Sequence, residues 1–272
     1  MVGCCEREIM KRRAGVAAVG TAAFLLWAGL HADAEEVKVL SAVGMRQVLL
    51  VLGPQFERAT GHTLAISFES SGVIVPRVEA GATADVLMLP RSAIDRLMKA
   101  GTVEAGTATD LANAIVGVAV RKGAPKPDIS TPDAFKRALL SARSIARADP
   151  AQGGSSAVHI AEVAERLGIS DEVKSKSVIT FRADDPLAAP GYAVASGRAE
   201  IALHQMQELL SVPGIEIVGP LPGDLQQTFV FSAGIMAGAK ARDAGIALIN
   251  FLRTPAAAAV IKATGMEPPA RR

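Results

Sequence analysis

Val37-Lys-Val-Leu-Ser-Ala-Val-Gly-Met-Arg46 carries a short β-branched strand straight into an amphipathic helix, and the rest of the chain repeats that pattern. Residues 37–41 read as the strand. Val48, Leu49, Leu52 and Phe56 then recur on one face of a helix over about 45–58, which Thr60-Gly61 ends. Outward from there come a strand at 64–68, a helix at 73–80, a strand at 85–89 and a helix marked by Ile94, Leu97 and Met98. Strands alternating with helices predict a mainly parallel α/β architecture.

A longer apolar stretch, 113–121, runs into the turn-rich Lys122-Gly-Ala-Pro-Lys-Pro-Asp128, which is expected to be a crossing between two lobes. A second α/β set follows: helix 132–140 capped by Ser130 or Thr131, strand 144–148, helix 156–167, strand 178–181, helix near 187–196 and strand 200–203. A further apolar segment, 228–237, would return the chain to the first lobe, and two helices at 241–252 and 255–264 finish it. The predicted fold is two Rossmann-like α/β lobes joined by a two-strand hinge. Lobe 1 is expected over 35–117 plus 232–272, and lobe 2 over 118–231. Hinged lobes imply a cleft, and clefts between domains are favoured ligand sites.

The first 34 residues set the expected compartment. Lys11-Arg12-Arg13, an apolar run from Ala14 to Leu30 and Ala32-Asp33-Ala34 form a secretory signal pattern with cleavage after Ala34. Met1 and Met10 are both candidate starts. Removing 34 of the 272 residues leaves 238, enough for one large domain or two lobes. Cys4, Cys5 and Trp27 all precede the cleavage point, so the exported protein can hold no disulfide. Its net charge falls near +1, which supplies no global field for nucleic acid or anionic lipid, so attraction for an anion must be local. No apolar segment after Leu30 is long enough to span a bilayer.

Three strand-to-helix turns are rich in Gly and Ser: Ser41-Ala-Val-Gly44-Met45-Arg46, Glu69-Ser70-Ser71-Gly72-Val73, and Asp149-Pro-Ala-Gln-Gly153-Gly154-Ser155-Ser156. Helix starts expose N–H groups without intrahelical partners at the positive end of the macrodipole, and small residues let an anion approach them. Plain N-capping accounts for any one turn. Three such turns, two in one lobe and one in the other, point to a shared anion site. None carries the Lys of a phosphate loop.

Beside Val37-Lys-Val-Leu-Ser-Ala stand Ser67-Phe-Glu-Ser-Ser, Arg77-Val-Glu-Ala-Gly-Ala-Thr-Ala-Asp85-Val-Leu, Ala148-Asp-Pro and Phe251-Leu-Arg-Thr-Pro-Ala-Ala. In these stretches the chain resembles the type II periplasmic solute-binding proteins of ABC importers, above all the molybdate-binding family. The resemblance implies a monomeric periplasmic receptor that delivers a small anion to an inner-membrane permease and ATPase. It implies no cofactor, no nucleic acid and no metal other than one within a bound oxyanion. Its oxyanion contacts fall on Ser71 with Ser70 beside it, on backbone donors near Ser155 and Ser156, and near Leu187. Two positions depart from the pattern: a serine is replaced by Gly44, ahead of Met45, and a tyrosine by His204. Gly44 forgoes a hydroxyl contact of about 1.5–3 kcal/mol to a charged ligand. His204 can donate like tyrosine and, if protonated, would strengthen anion binding at lower pH. Arg46 is a candidate partner for a carboxylate. A molybdate-like dianion and a small organic carboxylate both satisfy these donors.

The remaining candidates are weaker. His159 with Glu162 reads as a solvated helix face before it reads as a metal pair, and His62 as an exposed turn residue. Asp184-Asp185 and Arg182 have only their loop positions in their favour, while Tyr192 and Phe181 read as core. No hydrolase elbow, S-x-x-K pair or H-E-x-x-H helix is present, so no catalysis is expected, and a serine triad built on His62, His159 or His204 would be an accident of folding.

Overall fold

A computed structural model describes residues 34–180 and 189–270. In chain order the strands are β1 (Glu36–Ala42), β2 (Thr63–Glu69), β3 (Val86–Pro90), β4 (Thr109–Ala114), β5 (Val116–Arg121), β6 (Ile145–Arg147), β7 (Ser177–Ile179), β8 (Ile201–Gln205), β9 (Ile215–Pro220) and β10 (Phe229–Ile235). The helices are α1 (Arg46–Thr60), α2 (Ser71–Glu79), α3 (Arg91–Lys99), α4 (Pro132–Ser141), α5 (Ser155–Arg166), α6 (Ser170–Ser175), α7 (Pro190–Ala195), α8 (Met206–Leu210), α9 (Arg242–Phe251) and α10 (Pro255–Ala263).

The strands form two five-stranded sheets, ordered β2-β1-β3-β10-β4 and β7-β6-β8-β5-β9. Each sheet has the same plan. Three strands run parallel, and a fourth, arriving from the other sheet, runs antiparallel beside them and beside an edge strand. In the first sheet the arriving strand is β10; in the second it is β5.

Local chemistry fixes the element ends. On α1 the stripe of Val48, Leu49, Leu52 and Phe56 is buried, and Gly61 stops the helix at φ +81° while its N–H bonds Glu57 O. Thr131 caps α4 and Thr254 caps α10, each hydroxyl accepting from an N–H three residues on, with Pro at the first helical position. Asp85 ties the first sheet together: its carboxylate accepts from the N–H groups of Lys38 (2.8 Å), Lys240 (2.7 Å) and Ala241 (3.0 Å). Buried charge is tolerated there because three donors satisfy it.

The crossing differs from the sequence expectation. The 113–121 stretch is two strands in different sheets, and the chain passes between sheets at Ile115. The Lys122–Asp128 segment instead follows the end of β5, where Lys122 N–H bonds Gly214 O. An unbroken apolar run suits a buried strand in either sheet, so periodicity alone does not mark the change. The return passes between Pro220 and Phe229. Gln226 links the two connections, accepting from Val116 N–H (3.1 Å) and donating to Val116 O (2.8 Å), as a strand neighbour would. Asn113 and Glu267 exchange two further backbone hydrogen bonds beside it.

Among the described residues no single helix is long and apolar enough to cross a membrane; α9 and α10 are apolar together but bent by 67°. Residues 1–33 of the expected signal segment 1–34, Phe181, Arg182, Asp184-Asp185 and Leu187 lie outside the described residues.

Candidate functional site

The carboxyl ends of the parallel strands of both sheets meet at one cavity of about 40 Å³. The first sheet supplies Ala42 to Gly44 after β1, Ser70 and Ser71 after β2, and Pro90 after β3, with Phe231 from β10. Across from them stand Ala148, Asp149 and Gln152 with Gly154 to Ala157 after β6, His204 and Gln205 at the end of β8, and Glu208 on α8. Such ends are where open α/β sheets bind ligands.

Two of the walls are helix starts. Gly154 O, at the start of α5, accepts from Val158 N–H, and Ser70 O, at the start of α2, accepts from Val73 N–H and Ile74 N–H, so the N–H groups ahead of Val158 and Val73 have no intrahelical acceptor. Ser155, Ser156 and Ala157 bring the N-terminus of α5 to the cavity, and Ser71 brings that of α2. Dipoles from two sheets thus converge on the same small volume.

Gly44, Ser70, Ser71, Ser155, Ser156 and His204 are brought together as cavity-lining residues. Their hydroxyls are not all aimed inward. Ser70 Oγ donates to Gln152 O (3.0 Å) and Ser71 Oγ to Gly153 O (3.2 Å), so both clip the β2–α2 turn to the β6–α5 turn of the other sheet. Gly72 packs in the same seam: a Cβ there would stand 2.3 Å from Gln152 O and 2.7 Å from Gly153 Cα. Met45 is fully buried in the core, and Arg46 lays its guanidinium over the Phe68 ring, 4.9 Å from the centroid; neither lines the cavity.

The glycine at 44 has a steric cause. A Cβ on it would lie 2.5 Å from Phe231 Cζ and 2.6 Å from Gln205 Oε1, so those two side chains occupy the space a serine would need. Gln205 is fixed in turn by Gln207, whose amide donates to Gln205 Oε1 (2.5 Å) and, across the seam, to Gly44 O (3.1 Å).

His204 sits in a chain of polar groups. Ser156 Oγ is 3.3 Å from His204 Nδ1, and Glu208 Oε2 is 3.0 Å from His204 Nε2. Ser156 and His204 are buried and the Glu208 side chain is 13% exposed. Glu208, Gln205 and Phe231 escaped the sequence reading, although His204 and Glu208 are an i, i+4 pair visible in the sequence. On β6, next in sequence to the lining residue Ala148, Arg147 donates from Nε to Ser177 Oγ (2.7 Å), while its Nη1 has no hydrogen-bond partner among the described residues. Burial pushes its pKa down, and Asp149 opposes that shift.

The other two described histidines, His159 and His62, pack structurally. His159 is buried rather than solvated: Nε2 lies 2.9 Å from Leu225 O and its ring meets Phe229 edge-on at 5.6 Å. The solvent-facing reading of that helix side fails because the 221–225 loop covers it, with Leu225 itself buried. His62 accepts at Nδ1 from Glu35 N–H (3.1 Å) and stacks on Phe56. Among the described residues no group of His, Cys, Asp and Glu could hold a metal ion.

Comparison with known proteins follows the same lines. A family model described as bacterial extracellular solute-binding protein matches residues 37–267. The aconitate isomerase of a Pseudomonas species is 33% identical over 236 residues, covering 85% of this chain and 87% of that protein. The molybdate-binding protein ModA of Azotobacter vinelandii is 30% identical over 242 residues, covering 86% and 90%. The solved structure of the periplasmic molybdate-binding protein of A. vinelandii superposes with a TM-score of 0.71 at 22% identity, covering 86% of this chain and all of that one.

Proposed function

Because the chain belongs to the bacterial extracellular solute-binding protein family, as a divergent relative of its molybdate-binding members with their type II fold, we propose that it captures a small anion in the cavity between its sheets. In this reading residues 1–34 are a cleaved export signal, and the two lobes are built on the two sheets, with the chain crossing at Ile115 and returning between Pro220 and Phe229. The exported protein works in the periplasm as a monomer and hands its ligand to an ABC permease. It binds without catalysis.

The observation that carries the proposal is the meeting of the α2 and α5 starts, one from each sheet, at one cavity. Neither sheet alone completes it, so an anion held by both favours the closed form over an open one. Size supports a ligand of few atoms. A water needs roughly 10–15 Å³ of such space, so about 40 Å³ suits a tetrahedral oxyanion or a very small carboxylate.

A larger organic anion is the second reading. It is favoured by the 33% identity to a protein named aconitate isomerase and by acid–base groups, His204 and Glu208, standing in the cavity wall. A tricarboxylate would need the seam at Ser70 and Ser71 to part and the cavity to widen.

A thermal-shift screen of the exported protein tests both readings, using molybdate, tungstate, sulfate, phosphate and small di- and tricarboxylates. A ligand at a hundred times its Kd should stabilise by about 2.7 kcal/mol. Ser71→Ala combined with Ser155→Ala should weaken the responding anion; unchanged affinity would overturn the site. Conversion of an unsaturated tricarboxylate, followed by NMR, would replace simple capture with the isomerase reading.

A further inference from the structure

Among the described residues lining the cavity there is no lysine or arginine. Neutral donors must therefore do much of the work of holding an anion, and the two helix starts are one set of them. Gln205, at the end of β8, is buried and lines the same cavity. Its Oε1 accepts from Gln207 Nε2 (2.5 Å). Its own Nε2 makes no hydrogen bond among the described residues, yet it is not one of the fully enclosed polar atoms that lack a partner. The small surface that Gln205 keeps thus includes this nitrogen, and the cavity is the space it opens on.

Two contacts decide which end of that amide faces inward. Gln207 Nε2 also donates to Gly44 O (3.1 Å), across the seam between the sheets. A backbone carbonyl only accepts, so Gln207 must present its nitrogen on that side. The same nitrogen meets Gln205, which turns Oε1 toward it and leaves the NH2 group for the cavity. Reversing Gln205 would set two NH2 groups against each other, and reversing Gln207 would set its oxygen against Gly44 O and Gln205 Oε1. The arrangement carries a penalty: Gln207 is buried, and its Oε1 has no hydrogen-bond partner among the described residues. A buried oxygen left in that state is disfavoured on its own and calls for a task at the other end of the amide. Position 44 supplies the steric half. A Cβ there would stand 2.6 Å from Gln205 Oε1, so the glycine leaves room for this amide.

Resting on the reading of this cavity as an anion site, we infer that Gln205 is a ligand-binding residue whose amide NH2 group donates to the anion, and that Gln207 is the positioning residue that turns it inward. The amide takes over from the hydroxyl that Gly44 forgoes, and it does so from the opposite sheet. Gln207 finds Gly44 O only while the sheets are together, so parting the seam frees the Gln205 amide to turn. The donor is therefore set in the closed form alone, which ties its contribution to closure. On that nitrogen it has hydrogens and no lone pair to offer, which favours a deprotonated ligand oxygen over a neutral hydroxyl.

Titration calorimetry of the exported protein with molybdate, sulfate and citrate tests the assignment. Gln205→Met keeps the length of the side chain and removes the donor. It should weaken whichever of the three binds by about ten- to a hundredfold. Gln205→Glu is isosteric: one oxygen still accepts from Gln207 while the other faces the anion, so the loss should exceed that of Gln205→Met. Its near-identical shape also guards against misfolding of the first variant. Gln207→Leu should weaken the wild-type protein more than it weakens Gln205→Met, because part of its effect runs through Gln205. Wild-type affinity in Gln205→Met, or a Gln205→Glu protein that binds no more weakly than Gln205→Met, overturns the inference alone. Equal losses from Gln207→Leu in both backgrounds overturn the part assigned to Gln207. No calorimetric response of the wild-type protein to any of the three anions defeats the anion-site reading and this inference with it.

Discussion

Gly72→Ala would test whether closure of the seam is what holds the ligand. The added methyl would stand 2.3 Å from Gln152 O and 2.7 Å from Gly153 Cα, where ordinary contact begins at 3.4 Å. Backbone cannot rotate away as a side chain can, so the two turns must separate by about 1 Å. That displacement stretches the Ser70 Oγ–Gln152 O and Ser71 Oγ–Gly153 O hydrogen bonds, now 3.0 and 3.2 Å, past useful length. At 0.5–1.5 kcal/mol each, their loss disfavours the closed form by about 1–3 kcal/mol. Apparent affinity falls in proportion to the closed population, which is roughly five- to 150-fold. Calorimetry on whichever anion responds in the thermal screen measures this, and small-angle scattering should show an expanded ligand-free particle. The Tm of the ligand-free variant should change little, since neither sheet's own packing is touched. Unchanged affinity, or a large fall in Tm without ligand, would refute the reasoning.

Three other expectations follow from packing. Gly44→Ser, which restores the hydroxyl expected at that position, should destabilise by about 1–3 kcal/mol because Phe231 and Gln205 fill the space; Gly44→Ser with Phe231→Leu should be more stable than the sum of the two single changes, as thermal melts of the four proteins would show. Asp85→Ala strands the N–H groups of Lys38, Lys240 and Ala241 and should cost about 3 kcal/mol or more by urea unfolding. Arg147→Met removes a buried guanidinium whose Nη1 has no partner among the described residues, and Ser177 keeps its bond to Val173 O, so stability should rise by about 1 kcal/mol in the same assay.

Much of the architecture was legible because it is written in local periodicity. The β1–α1 unit, its glycine stop and the helix-start serines all follow from side-chain spacing within one turn or one strand. The sheet change at Ile115 was not, since Val116 to Val120 is as apolar as a buried strand of either sheet. Strand β9 was missed for a related reason: Ile215, Ile217 and Gly219 alternate only briefly before Pro220. At the site, the anion-facing turns were legible and the contacts across the seam were not. Ser70 and Ser71 read as ligand donors, yet their hydroxyls serve carbonyls 82 residues away. The reason for a glycine at 44 lies in Phe231, a residue from the far end of the chain whose position no local pattern encodes.

The side-chain amide of Gln226, bonded both ways to the backbone of Val116, has a mechanical consequence. Two separate connections between the sheets would let them twist, slide and fold against each other in several ways. Riveting one connection to the other leaves a pivot with a single easy axis, like two leaves on one pin. On the proposed function, opening to admit a ligand would then swing the mouth at Ser70 and Gln152 about the region of Ile115.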